Sequence, residues 1–330
     1  MMATQKKAGK SVFLPRKKTN QMQNPILLYL LILIFVLGKE SCESPMKKIK
    51  AVLPAPSPHW VGDGFKVRSL FHNLAFTQEI SPFLMFDYAD PKHFNPTLKQ
   101  PGVGQHPHRG FETVTLAFQG EVEHGDSRGN RGVITEGGVQ WMTAGSGIIH
   151  EEFHSKSFAK TGGTFEMMQL WVNLPAKDKM TVPKYQGINS EDIPVVSVDG
   201  ASVRVIAGDF HGTRGPATTF TPIDLWDIRL EEGIPVRFSV QESHNCILFV
   251  RTGKVRCGTK NLETHQVALM TVEGNTFQLE ATEPGSSVVL LSGEVIDEPI
   301  AARGPFVMNT QKELSQAISD FQSGKMGQHF

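Results

Sequence analysis

His106-Pro-His-Arg-Gly-Phe-Glu-Thr-Val-Thr-Leu-Ala-Phe-Gln-Gly120 carries a fold signal and a chemical signal in one stretch of chain. Its second half, Thr113 to Phe118, is β-branched, apolar and aromatic, and Gln119-Gly120 ends it as a turn would. Its first half sets two imidazoles two positions apart, so on an extended backbone both point to one face. The strand-and-turn punctuation repeats on either side. Met167 to Val172, Ser202 to Ala207, Cys246 to Val250, Gln266 to Met270 and Ser287 to Leu291 are short apolar runs. Turns separate them at Arg128-Gly129-Asn130, Glu136-Gly137-Gly138, Ala144-Gly145-Ser146-Gly147, Thr252-Gly253 and Glu273-Gly274-Asn275. No helical pattern longer than about two turns intervenes, which argues against a parallel βαβ sheet. So many short strands between residues 55 and 305 predict an all-β protein with two sandwiches or barrels rather than one.

A polar stretch with prolines, Leu174 to Met180 and then Tyr185 to Pro194, divides the strands near residue 185. The expected organisation is an extension over 1–45, a first domain over 55–185, a second over 186–308, and a helix with tail over 309–330. The helix is read from Thr310-Gln-Lys-Glu313, a capping box, followed by Leu314, Ile318 and Phe321 at i, i+4 and i+7.

Of the 330 residues 39% are apolar and 20% charged, which excludes a disordered chain, a collagen and a polytopic membrane protein. The net charge of zero conceals a split. Residues 1–45 hold seven Lys/Arg and two Asp/Glu, a net of +5, so residues 46–330 carry 26 against 31, a net of −5. An acidic remainder argues against direct nucleic-acid binding. The extension has a basic stretch (Lys6 to Lys18) before an apolar run, Ile26 to Leu37, that is shorter than the roughly 20 residues of a spanning helix. It has the form of a signal peptide or anchor, and Met46 offers an alternative start. Against secretion, the one Asn-x-Thr match, Asn95-Pro96-Thr97, is blocked by its proline.

The three cysteines, Cys42, Cys246 and Cys257, are too few for a disulfide framework or a thiolate zinc site. A hairpin turning at Thr252-Gly253 would set Leu248, not Cys246, opposite Cys257, so free thiols are expected.

Six of the twelve histidines fall within residues 93–154. Besides His106 and His108, His150 and Glu152 stand two apart. If both segments line one barrel, three neutral imidazoles and a carboxylate converge, a set suited to Fe(II), Ni(II), Zn(II), Cu(II) or Mn(II) with positions left open for a small ligand. His93, His124 and His154 are read as surface or supporting groups, with His154, on the face of Glu152, the reserve ligand. Glu151 should point outward. In the second domain His211, His244 and His265 are single and far apart, so that domain is expected to be metal-free and structural.

Two further stretches join the first: Gln140-Trp-Met-Thr-Ala-Gly-Ser-Gly-Ile-Ile-His150 and Leu170-Trp-Val-Asn-Leu-Pro175. Together with Gly304-Pro-Phe-Val-Met-Asn-Thr310, they resemble the pirins, a branch of the cupin superfamily. The resemblance runs from about residue 60 to the C-terminus. It implies a bicupin, two face-to-face jelly-roll β-barrels with a short C-terminal helix, in which the first barrel holds one Fe(II)/Fe(III) ion. Carried over position by position, the ligands are His106, His108, His150 and Glu152, with Glu112 the alternative carboxylate. The resemblance implies two activities. One is quercetin 2,3-dioxygenase chemistry on a flavonol and O2. A mechanism for it has Glu152, or a water near it, take the enol proton of the substrate, and the apolar pocket it needs has Phe111, Trp141, Met142 and Phe153 nearby in sequence, as lining or as core. The other is redox sensing by a nuclear cofactor that binds protein partners in transcription. A monomer in the nucleus or cytoplasm is expected, the alternative being a secreted or membrane-anchored protein through residues 26–37.

Overall fold

The computed structural model describes residues 45–72, 77–328 and 330. The basic and apolar readings of residues 1–44, and Cys42 with them, lie outside the described residues. Two pairs of antiparallel sheets make up the rest. In the first, a seven-stranded sheet has the order Lys184–Ile188, Val139–Thr143, Phe111–Gln119, Gly163–Asn173, Phe83–Phe94, Phe65–Phe71 and His59–Val61. It faces a four-stranded sheet ordered Gly102–His108, Ile148–His154, Val122–Asp126 and Arg131–Ile134. The second pair repeats the plan: seven strands, with Asn245–Thr252, Ser287–Gly293 and Ile223–Leu230 at the centre, and four strands that include Val236–Ser239 and Thr276–Ala281. The expected all-β bicupin is the observed fold.

Strand alternation explains how the layers divide. In Phe111–Gln119, Val114, Leu116 and Phe118 join a core that continues through Leu225, Phe249 and Leu291 of the other large sheet. The two seven-stranded sheets thus pack face to face, with Phe249 at 5.2 Å from Phe86 and 4.9 Å from Tyr88 between ring centroids. The residues between them, Phe111, Thr113 and Thr115, face the opposite way, into the first barrel. The second barrel is filled by apolar side chains such as Trp226, Phe238, Leu248 and Phe277.

Lys184–Ile188, which spans the division expected near residue 185, pairs with Val139–Thr143 in the first sheet. Ile49–Leu53, between the expected extension and the expected first domain, pairs with Val267–Met270 in the second domain's sheet. One local expectation is corrected. The hairpin at Thr252-Gly253 does not form: Asn245–Thr252 stays in the large sheet, while Val255–Cys257 crosses to the small one and pairs with Lys260–Leu262 and Thr276–Ala281. At the crossing the Ser286 hydroxyl accepts from Lys254 N at 3.1 Å. Cys246 and Cys257 are buried free thiols in the second core, which pushes them up to about 12 and about 11.

The chain ends exchange domains. At the N-terminal side, buried Lys47 donates to the carbonyls of His244 (3.1 Å), Thr271 (2.9 Å) and Val272 (2.8 Å). At the C-terminal side, the hairpin of Ala301–Arg303 and Phe306–Met308 with the helix Gln311–Gln322 lies against the first domain. Val307 N donates to Arg109 O at 3.0 Å, and Arg109 pairs with Asp320 at 3.0 Å. Gly110 makes the approach feasible: its φ is +86°, and a Cβ there would stand 2.0 Å from Val307 O. The helix has the expected capping box, Thr310 with Glu313, and Leu314 is buried against the hairpin. No helix among the described residues is long and apolar enough to cross a membrane.

Candidate metal centre

Register assembles the site. In the four-stranded sheet His150 stands opposite His106 on one side and Asp126 on the other, and Glu152 stands opposite His124. Residues directly opposite share a face, so all of these side chains enter the first barrel. His106, His108 and His150 meet, their ligand nitrogens within 4.8 Å of one another. Both ring nitrogens of His150, and Nδ1 of His108, are buried without a hydrogen-bond partner. Unpaired buried imidazole nitrogens are costly unless something else satisfies them, so these residues fit a metal ion. His106 Nδ1 lies 2.8 Å from Gly104 O. The carbonyl can only accept, so the proton sits on Nδ1 and Nε2 keeps its lone pair for a metal. Burial holds His108 and His150 well below the usual imidazole range, so both are neutral at physiological pH, as ligation requires.

Glu152 is buried on the same face but is not one of the three grouped residues. Its Oε1 accepts from Gln140 Nε2 and lies 3.0 Å from the Thr115 hydroxyl, and its Oε2 has no hydrogen bond among the described residues. Gln140, Thr115 and Gln169 are direct cross-strand neighbours in the large sheet, forming one polar row that faces Glu152 across the barrel. The next row is Met142, Thr113 and Trp171. Trp171 lies 5.2 Å from His108 and 4.3 Å from Phe111 between centroids.

Other sequence candidates fall elsewhere. Glu112 shares the face of Val114 and Leu116, so it points out of the barrel, where the Thr143 hydroxyl donates to it at 2.8 Å. Burial raises Glu112 to about 7. It is therefore separated from the imidazoles by the backbone of its own strand. His154 shares the face of Glu152 but donates through Nε2 to Gly64 O at 3.0 Å and stacks on Phe165. His93 is exposed, and Glu151 points outward toward Arg131 at 3.7 Å. Of the four apolar residues named as lining or core, Phe111 and Met142 share the inward face. Trp141 belongs to the inter-sheet core, and Phe153 follows Glu151 to the outside.

Sequence reasoning did not single out Gln140, Gln169, Trp171 or Tyr185 as site residues. His124, expected at the surface or as a supporting group, is inside: it is completely buried, donates through Nε2 to Asp126 at 3.1 Å and stacks on Tyr185 at 4.7 Å between centroids. Asp126 loses solvation by burial, yet bonds from His124, Asn130 and the Arg128 amide outweigh that and lower it. Burial, with the charges of Glu152 and Asp126, raises the Tyr185 hydroxyl to about 12, so it stays a donor. His124 and Asp126 are two apart, the same spacing that exposed the ligand pairs.

A four-stranded sheet bearing three convergent imidazoles, closed by a larger sheet and doubled in a second, apolar-filled copy, defines a two-domain cupin with a three-histidine cluster in its first domain. The comparisons place it further: the pirin model matches residues 64–172 and the pirin C-terminal cupin domain matches residues 225–327. The chain belongs to the pirin family. It is 49% identical over 282 residues to a Pseudomonas aeruginosa protein named "Putative quercetin 2,3-dioxygenase", covering 85% of this chain and 98% of that one. It is 38% identical over 256 residues to pirin of Homo sapiens, covering 76% and 84%. A crystal structure of quercetin 2,3-dioxygenase from Acinetobacter baumannii superposes with a TM-score of 0.84 at 49% identity, over 87% of this chain and all of that one.

Proposed function

We propose that this protein is a mononuclear non-haem iron protein with quercetin 2,3-dioxygenase activity, in which His106, His108, His150 and Glu152 hold the ion. The observation that carries the reading is the convergence of three imidazoles, two of them buried with ring nitrogens that lack a hydrogen-bond partner, beside a carboxylate and next to aromatic side chains. Bound iron would supply the one-electron chemistry that lets O2 react with a flavonol. The protein's residues position the substrate and its proton. Glu152 takes the proton of the flavonol 3-hydroxyl at Oε2, while Gln140 and Thr115 hold Oε1 and so fix the carboxylate's plane. Trp171 and Phe111 offer ring faces to a flat polycyclic substrate. Oxygen uptake with quercetin by Fe(II)-loaded protein tests the reading: a His108→Ala variant should fall to the metal-free rate. Loaded wild-type protein that does no better than the metal-free control would remove it.

A second reading has a specific observation behind it. Arg109, next to His108, is tied to Asp320 on the C-terminal helix, so the ligand strand is mechanically joined to a surface element. A change from Fe(II) to Fe(III) adds a buried positive charge beside that joint, which suits a redox-sensing cofactor that binds transcription regulators in the nucleus. With 26 basic against 31 acidic residues over 46–330, such action would go through proteins rather than DNA. Partner binding that differs between ferrous and ferric protein, and does not differ in His108→Ala, would favour it.

A further inference from the structure

The layer between the two large sheets changes character at one end. Along Ile223–Leu230 the residues facing it run Ile223, Leu225, Asp227, Arg229, and along Asn245–Thr252 they run Ile247, Phe249, Arg251. Arg204 stands directly opposite Asp227 on the adjoining strand. From the first domain, Glu166 follows Met168 on the same face, and Phe118 follows Leu116. These ends enclose a cleft of about 390 Å³, remote from the histidine centre and lined by both domains.

Its walls are unevenly satisfied. Glu166 is saturated, accepting from Tyr88 Oη at 2.6 Å, Arg251 at 2.8 Å and Gln119 at 2.9 Å. Arg251 also stacks on Phe118, 4.4 Å from the ring centroid, yet its Nε is buried without a partner. Arg204 donates to Asp227 Oδ2 at 3.3 Å and to Gly137 O at 2.5 Å. Asp227 is 2% exposed, and its Oδ1 has no partner. Arg229 is exposed at the mouth and makes no hydrogen bond or ion pair among the described residues. Three guanidiniums therefore face two engaged carboxylates, with Glu136 exposed at the rim.

We propose that this cleft binds a small oxyanion that carries a proton to donate, a hydrogen phosphate or a hydroxycarboxylate. The anionic oxygens go to Arg229 in the planar, two-point manner of guanidinium recognition, because Arg204 and Arg251 are already paired with Asp227 and Glu166. The ligand's hydroxyl donates to Asp227 Oδ1, a buried acceptor on the wall that lacks a donor. Sulfate, which matches phosphate in size and charge but has no proton to give, meets Asp227 as a like charge and is rejected.

Calorimetric titration of the full-length, metal-loaded protein at constant ionic strength tests this, with inorganic phosphate, L-malate and sulfate as probes, on wild type, Arg229→Ala and Arg229→Lys. Arg229 lies outside the core, so both variants should fold with unchanged metal content. The expected result is saturable one-site binding of phosphate or malate at least tenfold tighter than sulfate, weakened at least tenfold in Arg229→Ala and partly restored in Arg229→Lys. Phosphate alone binding assigns the phosphate class, and malate alone the hydroxycarboxylate class. Absence of saturable binding by either, equal binding of sulfate, or equal binding by Arg229→Ala would overturn the proposal.

Discussion

At the scale of single residues, the site depends on which nitrogens and oxygens are left without partners. His150 is fully buried with neither ring nitrogen bonded, so His150→Ala should lower bound metal from about one equivalent to below a tenth, as read by elemental analysis. Gln140 acts one step out. Gln140→Leu removes a donor to Glu152 Oε1 without changing the strand, and we expect metal affinity to fall roughly 10- to 100-fold, measured by competition with a chelator. The proposed ligand pairs were legible because a strand repeats every two residues, so His106 with His108 and His150 with Glu152 announce a shared face from spacing alone. The same rule puts His124 and Asp126, also two apart, on that inner face. Glu112, the alternative carboxylate, lies on the other face although its distance from His108 is even, because Arg109-Gly110 interposes a break, with Gly110 at positive φ, that reverses the parity.

At the scale of elements, the C-terminal helix is the clearest case of local sequence deciding local structure. Thr310 and Glu313 cap each other as their spacing requires, and Thr310→Ala should cost about 1 kcal/mol in thermal or urea unfolding. Where the helix docks was not legible, because its partner Arg109 lies 211 positions away. Bonds from Lys325, then Gln316 and Arg109, lower Asp320 to about 2 from its usual 3.8. A depressed carboxylate stabilises fully above its unfolded value and loses that contribution as pH falls through the folded value. Unfolding midpoints of the wild type should therefore fall between pH 4 and pH 2 by more than those of Asp320→Asn, which has already lost the contribution at pH 7. Identical slopes in the two proteins would show that the pair adds nothing. The failed hairpin after Thr252 has the same origin as the helix's unreadable docking site. Thr252-Gly253 reads locally as a tight turn, whereas the bond of Lys254 N to Ser286, distant in sequence, has no local signal.

At the scale of the whole molecule, the count of two β-domains followed from the number and shortness of the strands, and their face-to-face arrangement came with the family resemblance. The continuous core between them makes the two domains one cooperative body. Phe249→Ala, at a position with 0% exposure that meets Phe86 and Tyr88 across the layer, should cost about 3–5 kcal/mol. It should lower a single unfolding transition, followed in parallel by far-UV circular dichroism and by metal release, rather than split it in two. The exchange of chain ends also bears on the order in which the protein comes off the ribosome. The first domain carries the proposed ligands, but the bonds of Arg109 to Asp320 and of Lys179 to Val307 O form only once residues 305–320 have been made. A nascent chain halted near residue 300 therefore has every proposed metal ligand in hand and the seal beside them missing, an interval in which an ion can enter before the chain's own last segment shuts the door.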